Sequence, residues 1–218
     1  MQVKICGIND ETALDAAVAT GASHVGFNFF PPSPRAVLPD EAGRLAKRLP
    51  DEIERVALFV DPDDALIEAV IAALHPDLLQ LHGSESPERV AEIKQRFGVR
   101  VMKAVKVSGR EDIEIAISYD GIADMILFDA KAPKDMKGAL PGGNGLVFDW
   151  DLIAHYRGQT PWMLSGGLDA ENVSEAIRIT GAKAVDTASG AEDRPGVKNP
   201  TKIKAFVAAA TAVQSALR

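Results

Sequence analysis

The sequence predicts an α/β protein built as a single (β/α)8 barrel, or TIM barrel, over residues 1–218. Short apolar runs typical of buried strands alternate along the chain with stretches whose apolar residues recur at helical spacing. Eight such repeats in 218 residues leave about 27 residues for each strand–helix unit, close to the size of a lean βα unit. A barrel of this class accounts for both the number of repeats and the length.

The predicted strands are eight short apolar runs. Most are nearly continuous in apolar residues, which is typical of parallel strands buried on both faces. In chain order they are QVKIC (2–6), HVGFNF (24–29), RVALFV (55–60), LLQLH (78–82), VRVMKAV (99–105), MILFD (125–129), WMLSG (162–166) and AVDTAS (184–189).

The predicted helices lie between these runs. In three stretches the spacing of apolar residues lines one face of a helix. These residues are Leu14, Ala17, Val18 and Gly21; Ile67, Val70, Ile71 and Leu74; and Ile203, Phe206, Val207, Ala210 and Val213. Two helix starts show a capping residue followed by proline, at Ser86–Pro87 and Asn199–Pro200.

The alternative fold is a doubly wound open sheet. That fold usually needs fewer strands and often carries the glycine-rich G-x-G-x-x-G fingerprint after the first one. The first strand here runs into CGINDE, which is not that fingerprint. The barrel is therefore the favoured fold, and no stretch has the composition of a linker between domains.

Composition narrows the classes of function. A net charge of −7 argues against general affinity for nucleic acid or an anionic membrane. A single cysteine cannot form an internal disulfide, and no run approaches the ~18 apolar residues of a membrane span. The N-terminal apolar stretch is too short for a signal peptide. We therefore expect a soluble cytoplasmic protein.

Polar residues at the ends of the predicted strands mark the expected site, because active sites of such barrels form at the carboxyl ends of the strands. The candidates are Cys6, Asn28, Arg35, His82, Asp129, Ser165, Gly166, Gly167, Asp186, Ser189 and Gly190. The sequence shows no H-x-H or H-E-x-x-H spacing and has one thiol, so no transition-metal site is expected.

Cys6 is either a buried structural cysteine or a reactive base or nucleophile. A free thiol has a pKa of about 8.5, so action at neutral pH requires a lowered pKa or a nearby proton acceptor. Lys4 stands two residues earlier on the same side of the strand and is a source of positive charge.

Asp129 is either a turn cap or an acidic group at the mouth of the barrel. No helical pattern follows it soon; a Gly- and Pro-rich loop spans 130–148 instead. Loops of this length in compact domains are usually functional or disordered. We expect this one to be a mobile lid, and burial beneath it is one way to keep a proton on Asp129.

Three further features suggest how a ligand is held. The loops LSGGL and TASGAE follow the seventh and eighth strands, where barrels of this class often bind phosphate through backbone N–H groups. Arg35 lies in a proline-stiffened loop that suits contact with a carboxylate. His82 ends the fourth strand and could act as an acid, a base or a hydrogen-bond donor.

Seven segments follow one another along the chain: VKICGI, VGFNFFPPSPR, LLQLHG, ILFDA, FDW, LSGGL and VDTASGAE. In this order, and over essentially the whole chain, they closely resemble the phosphoribosylanthranilate isomerases of tryptophan biosynthesis. The resemblance implies a single barrel without cofactor or metal. It also implies an Amadori rearrangement of N-(5-phosphoribosyl)anthranilate, a small phosphosugar, with Cys6 as general base and Asp129 as general acid.

The same resemblance assigns the substrate-binding positions. Arg35 matches the residue that faces the anthranilate carboxylate, and Asp186 and His82 match polar positions near the substrate. The phosphate-binding loops are matched by Gly166, Gly167, Ser189 and Gly190. Two departures are visible: Ala188 replaces a serine of the last loop, which leaves a backbone N–H contact intact, and Asn199 replaces an aspartate at a helix start.

Other barrel functions remain as alternatives. Indole-glycerol-phosphate synthase relies on lysine chemistry, a histidine-pathway isomerase on aspartates at strands one and five, and a pentose-phosphate epimerase on a metal cluster. A non-catalytic phosphosugar-binding barrel would keep the glycine loops without needing both Cys6 and Asp129. The oligomeric state is expected to be a monomer or a homodimer.

Overall fold

The structure is a computed structural model that describes residues 1–132 and 140–216. Eight parallel strands, each hydrogen-bonded to the next, close into a barrel in the order β1 to β8. They are β1 Gln2–Cys6, β2 His24–Asn28, β3 Glu54–Phe59, β4 Leu78–Leu81, β5 Arg100–Val107, β6 Met125–Ala130, β7 Trp162–Leu164 and β8 Ala184–Thr187. The predicted (β/α)8 fold is confirmed.

The helices pack around the barrel. They are α1 Glu11–Ala19, α2 Pro39–Ala46, α3 Asp64–Leu74, α4 Pro87–Phe97, α5 Arg110–Ile117, α6 Val173–Thr180 and α7 Pro200–Ala216. Within the described residues, a short 3-10 helix, Trp150–His155, stands where the repeat calls for an α-helix after β6. A small antiparallel hairpin of β9 Glu192–Arg194 and β10 Val197–Lys198 follows β8.

The predicted helix faces agree with the structure, with one correction. The faces predicted around Ile67 and Ile203 lie within α3 and α7. Gly21, however, lies beyond α1, which ends at Ala19; its φ of +76° belongs to the turn that leads into β2. Ser86 caps α4 as predicted, because its Oγ accepts a hydrogen bond from the Arg89 amide.

Alternation along the strands builds the site. Side chains that fill the lower barrel lumen form an apolar cluster of Val56, Leu78, Met102, Ala104, Leu127, Met163 and Ala184. Because successive side chains of a strand point to opposite faces, the next residue facing the lumen lies two positions further on. Above Leu78 and Leu127 these residues are Gln80 and Asp129, so the lumen becomes polar at its carboxyl end.

No helix in the described part of the chain is long and apolar enough to cross a membrane.

Candidate active site

A cleft of about 610 Å³, open mouth included, lies at the carboxyl end of the barrel. It brings together ten of the eleven residues proposed from the strand ends. Those lining it are Cys6, Asn28, Arg35, His82, Asp129, Ser165, Gly166, Gly167, Asp186 and Ser189. Gly190 is not among them; a Cβ at this position would come within 2.1 Å of the Leu168 carbonyl oxygen.

Cys6 lies beside a buried ion pair. The Nζ of Lys4 donates to Asp186 Oδ1 at 2.9 Å, and Ser165 Oγ donates to Asp186 Oδ2 at 2.9 Å. Burial raises the pKa of the Cys6 thiol, and the charge of Lys4 offsets only part of that effect. Burial alone would lower the pKa of Lys4, but Asp186 and Cys6 outweigh it and raise that pKa well above its usual value.

Gly26 provides the room that this group needs. It stands opposite Cys6 in the register between β1 and β2. A Cβ at Gly26 would lie 3.0 Å from Cys6 Sγ and 3.2 Å from Lys4 Cε. Lys4 and Cys6 therefore pack side by side over a glycine, as their shared face of β1 predicts.

Asp129 faces His82 across the lumen. Asp129 Oδ2 lies 3.1 Å from His82 Nε2, and Asp129 Oδ1 accepts a hydrogen bond from the Ala130 amide at 2.9 Å. The other ring nitrogen of His82, Nδ1, lies 2.9 Å from Gln80 Nε2. Sequence reasoning missed Gln80, although its position two residues before His82 on the same strand face was a signal that could have found it.

Arg35 is held by a buried carboxylate. Its Nε and Nη2 donate to the two oxygens of Glu192, both at 2.8 Å, and Nη2 also donates to the Gly143 carbonyl at 3.1 Å. Lys198 Nζ donates to the same Glu192 at 2.7 Å and to the Ala188 carbonyl at 2.9 Å. One edge of the guanidinium is thus occupied, and among the described residues Nη1 has no partner.

Glu192 is ionised for a clear reason. Burial would raise the pKa of its carboxyl, but Arg35 and Lys198 outweigh burial and lower it. Glu192 and Lys198 were both missed from the sequence. They lie on the hairpin of β9 and β10, and Glu192, which Lys198 contacts, meets Arg35 across 157 residues of chain. No local motif indicates such a contact.

The two glycine loops lie next to each other at the rim. Gly166 and Gly167 have φ angles of +87° and +61°, and a Cβ at Gly167 would come within 2.6 Å of the Leu146 carbonyl oxygen. Ser189 and Gly190 begin a 3-10 turn, Ser189–Ala191, whose first N–H groups have no partner within the turn. Among the described residues, no hydrogen bond occupies the N–H groups of Gly167, Ser189 or Gly190. Such groups suit an anion.

The second half of the predicted lid covers this cleft. Residues 133–139 of the predicted loop lie outside the described residues, whereas residues 140–143 line the cleft. A Cβ at Gly142 would lie 2.6 Å from His82 Nε2 and 2.8 Å from Asp129 Oδ2. Only a glycine lets the backbone approach the carboxyl so closely.

Within residues 1–132 and 140–216, no group of three or more His, Cys, Asp or Glu side chains is arranged to hold a metal ion.

The fold and the site together define a class of protein. The closed parallel barrel carries a thiol, a carboxyl group and free backbone N–H groups at its carboxyl end. This is the architecture of a barrel enzyme that acts on a phosphorylated small molecule. Residues 3–209 match the family model described as N-(5'-phosphoribosyl)anthranilate (PRA) isomerase, and the chain belongs to that family. It is therefore an isomerase of tryptophan biosynthesis.

Relatives and solved structures agree along nearly the whole length. The chain is 56% identical to the N-(5'-phosphoribosyl)anthranilate isomerase of Parvibaculum lavamentivorans, with 96% of this chain and 98% of the relative covered. The crystal structure of phosphoribosyl anthranilate isomerase from Thermotoga maritima is similar with a TM-score of 0.85 and 38% identity, over 97% of this chain and 99% of that one. A phosphoribosyl anthranilate isomerase in complex with reduced 1-(o-carboxyphenylamino)-1-deoxyribulose 5-phosphate has a TM-score of 0.83 and 36% identity, over 97% and 99%.

Proposed function

We propose that this chain isomerises N-(5-phosphoribosyl)anthranilate to 1-(2-carboxyphenylamino)-1-deoxyribulose 5-phosphate with Asp129 as general acid and Cys6 as general base. The observation that carries the assignment is that Cys6 and Asp129 line one cleft, whose rim presents free backbone N–H groups. All 218 residues are proposed to form one domain, acting without a cofactor in the cytoplasm as a monomer or homodimer.

Asp129 starts the reaction. It gives its proton to the ribose ring oxygen, the bond between that oxygen and C1 breaks, and the nitrogen lone pair forms a cationic iminium. Asp129 is buried, with 4% of its surface exposed, and is covered by Gly142. Exclusion of water protects the iminium from hydrolysis.

Cys6 completes the proton transfers. It removes the proton from C2 of the iminium, giving a neutral enolamine, which tautomerises to the ketone as a proton is delivered to C1 and the C2 hydroxyl proton is lost. Only the thiolate can accept this proton, so Cys6 loses its own proton to solvent before the substrate fills the cleft; burial raises the thiol pKa and opposes this loss. The positive iminium that forms beside it, together with Lys4, stabilises the thiolate when it is needed.

The glycine loops hold the phosphate in this proposal. The free N–H groups of Gly167, Ser189 and Gly190 provide donors, and Gly166 allows the loop to approach. Ala188 brings no hydroxyl group, so binding at that position is left to the backbone. Anchoring the phosphate confines the flexible open-chain intermediate near the acid and the base.

Arg35 holds the anthranilate carboxylate in this proposal. Because Glu192 occupies its Nε edge, contact in this conformation is made through Nη1. The remaining two polar candidates act through other side chains: Asp186 fixes Lys4 beside Cys6, and His82 contacts the carboxyl group of Asp129.

Turnover by the purified wild-type chain tests this function. Phosphoribosylanthranilate generated in situ loses its anthranilate-type fluorescence on isomerisation, and we expect rapid decay that depends on enzyme concentration. A related aminoaldose phosphate is the matched alternative substrate. Turnover of neither compound, with the second followed by formation of its ketose, would contradict the proposal and leave a phosphosugar-binding barrel; turnover of the alternative substrate alone would replace the proposed substrate.

A further inference from the structure

Gln80 is a buried polar residue to which the proposed mechanism gives no task. It lies in the middle of β4, faces the lumen and is 1% exposed. Its neighbours in register are Leu58 on β3 and Met102 on β5, neither of which offers a hydrogen bond to an amide. Its described polar contact is therefore with His82, between Nε2 and Nδ1 at 2.9 Å.

This contact determines where the imidazole carries its proton. An amide nitrogen only donates hydrogen bonds, so Nδ1 of His82 must be the acceptor. A neutral ring then has its proton on Nε2, which points at Asp129 Oδ2 at 3.1 Å. The hydrogen bond made by one ring nitrogen thus fixes the tautomer seen by the other.

The arrangement leaves one polar atom unsatisfied. Gln80 Oε1 is buried and has no hydrogen-bond partner within the described residues. An unpartnered buried acceptor is destabilising, and an apolar residue at position 80 would avoid that cost. A polar group retained at such a cost calls for an explanation, and its one polar neighbour is the histidine that contacts the general acid.

We propose that Gln80 is a positioning residue that holds His82 in its Nε2–H tautomer, so that Asp129 carries its transferable proton on Oδ1. The inference rests on the proposed role of Asp129 as general acid. Oδ2 accepts from His82, and Oδ1 accepts from the Ala130 amide through one lone pair; the other lone pair of Oδ1 holds the proton that is delivered to the sugar. Asp129 Oδ1 borders Gly166 of the phosphate loop, and Oδ2 lies under Gly142.

The opposite amide orientation has the opposite consequence. With Gln80 Oε1 against Nδ1, the ring proton would sit on Nδ1, and Nε2 would become an acceptor. Asp129 would then hold its proton on Oδ2, in the hydrogen bond to His82 and not on the oxygen left for the substrate. The two orientations therefore differ in an observable, the protonated nitrogen of His82.

Nitrogen NMR of the resting protein measures this tautomer directly. The protein is labelled with 15N-histidine and observed at about pH 8, above the ordinary histidine pKa of about 6.5. The signals of His82 are assigned among the four histidines by their loss in His82→Gln. We expect Nε2 of His82 to be protonated and Nδ1 to be unprotonated; a proton on Nδ1 would overturn the proposal.

Two variants link the tautomer to turnover. Gln80→Glu keeps the shape but offers an acceptor, and Gln80→Met removes the hydrogen bond in case the buried carboxylate prevents folding. In folded Gln80→Glu we expect an Nδ1–H signal for His82, and in folded Gln80→Met a mixture of both tautomers because no group then selects one. In both variants we expect kcat to fall by about tenfold or more, with KM changed by no more than about threefold. Gln95→Met, on the exposed face of α4, should leave both readouts unchanged.

The outcomes separate this inference from the function on which it rests. An unchanged tautomer or an unchanged kcat in the folded Gln80 variants would overturn the positioning role, even if the wild type is fully active. If Asp129→Asn instead turned over substrate at the wild-type rate, Asp129 would not be the general acid. The proposed function would then fail at that step, whatever tautomer His82 shows.

Discussion

Lys4 and Asp186 stand opposite each other in the register between the first and last strands, and their side chains close the barrel with a buried ion pair of 2.9 Å. Lys4 is fully buried and the Asp186 side chain is 5% exposed. The pair sits directly beneath Cys6, since Lys4 and Cys6 pack together over Gly26. The same contact therefore joins the barrel seam to the proposed base.

Removing one partner of this pair should destabilise the fold. Lys4→Met leaves the Asp186 carboxylate buried with only Ser165 as a donor, and we expect a loss of about 3–5 kcal/mol in the free energy of unfolding. Urea denaturation measures it, with the exposed Lys47→Met as the control. Lys4→Met combined with Asp186→Leu should regain part of the loss; a single variant as stable as wild type would contradict this view of the pair.

The thiol should react as one with a raised pKa. Burial raises the pKa of Cys6, and the thiolate is the reactive form. Alkylation by iodoacetamide should therefore be slow at about pH 7. The pH at which its rate is half-maximal should lie above about 8.5, the pKa of a free thiol. The chain has one cysteine, so Cys6→Ser is a complete blank. If the rate were half-maximal at a pH below the pKa of free cysteine, the charge of Lys4 would outweigh the effect of burial on the thiol pKa.

The glycine over the acid should be needed for turnover. In Gly142→Ala the new Cβ would meet His82 Nε2 and Asp129 Oδ2 at under 3 Å, so the segment must lift from the carboxyl group. We expect a lower kcat with little change in unfolding free energy. Gly98→Ala, at the end of α4 with φ +65° and open space around it, should show the reverse pattern, with stability lowered by about 1 kcal/mol. Equal kcat for Gly142→Ala and wild type would exclude close packing of the lid during the reaction.

Arg35→Ala should act mainly on binding. Its Nη1 is proposed to contact the substrate carboxylate, far from the bonds that change, so KM should rise with a smaller effect on kcat. Steady-state kinetics separates the two constants. Because Glu192 would keep only Lys198 as a charged partner, thermal unfolding should show a lower Tm as well. A fall in kcat at constant KM would point to a role in the chemistry.

The sequence predicts the barrel and the strand-end residues because both follow from local periodicity. Near-continuous apolar runs define the strands, and the polar residues that face the lumen are found by counting in twos along a strand, as for Cys6 two residues after Lys4 and Asp129 two residues after Leu127. Contacts across the fold are not local. Glu192, which binds Arg35, lies on a hairpin 157 residues further along the chain, so no local pattern in the sequence indicates this contact.

Turnover by Cys6→Ser and Asp129→Asn, measured beside the wild type as loss of anthranilate-type fluorescence, tests the central claim most directly. Both substitutions nearly keep the shape of the side chain, and their folding is checked by the same urea denaturation as the wild type. We expect decay with the wild type and a loss of about 10²-fold or more in kcat for each variant. Near-normal kcat in the folded Cys6→Ser variant would contradict the assignment of the single thiol as the base.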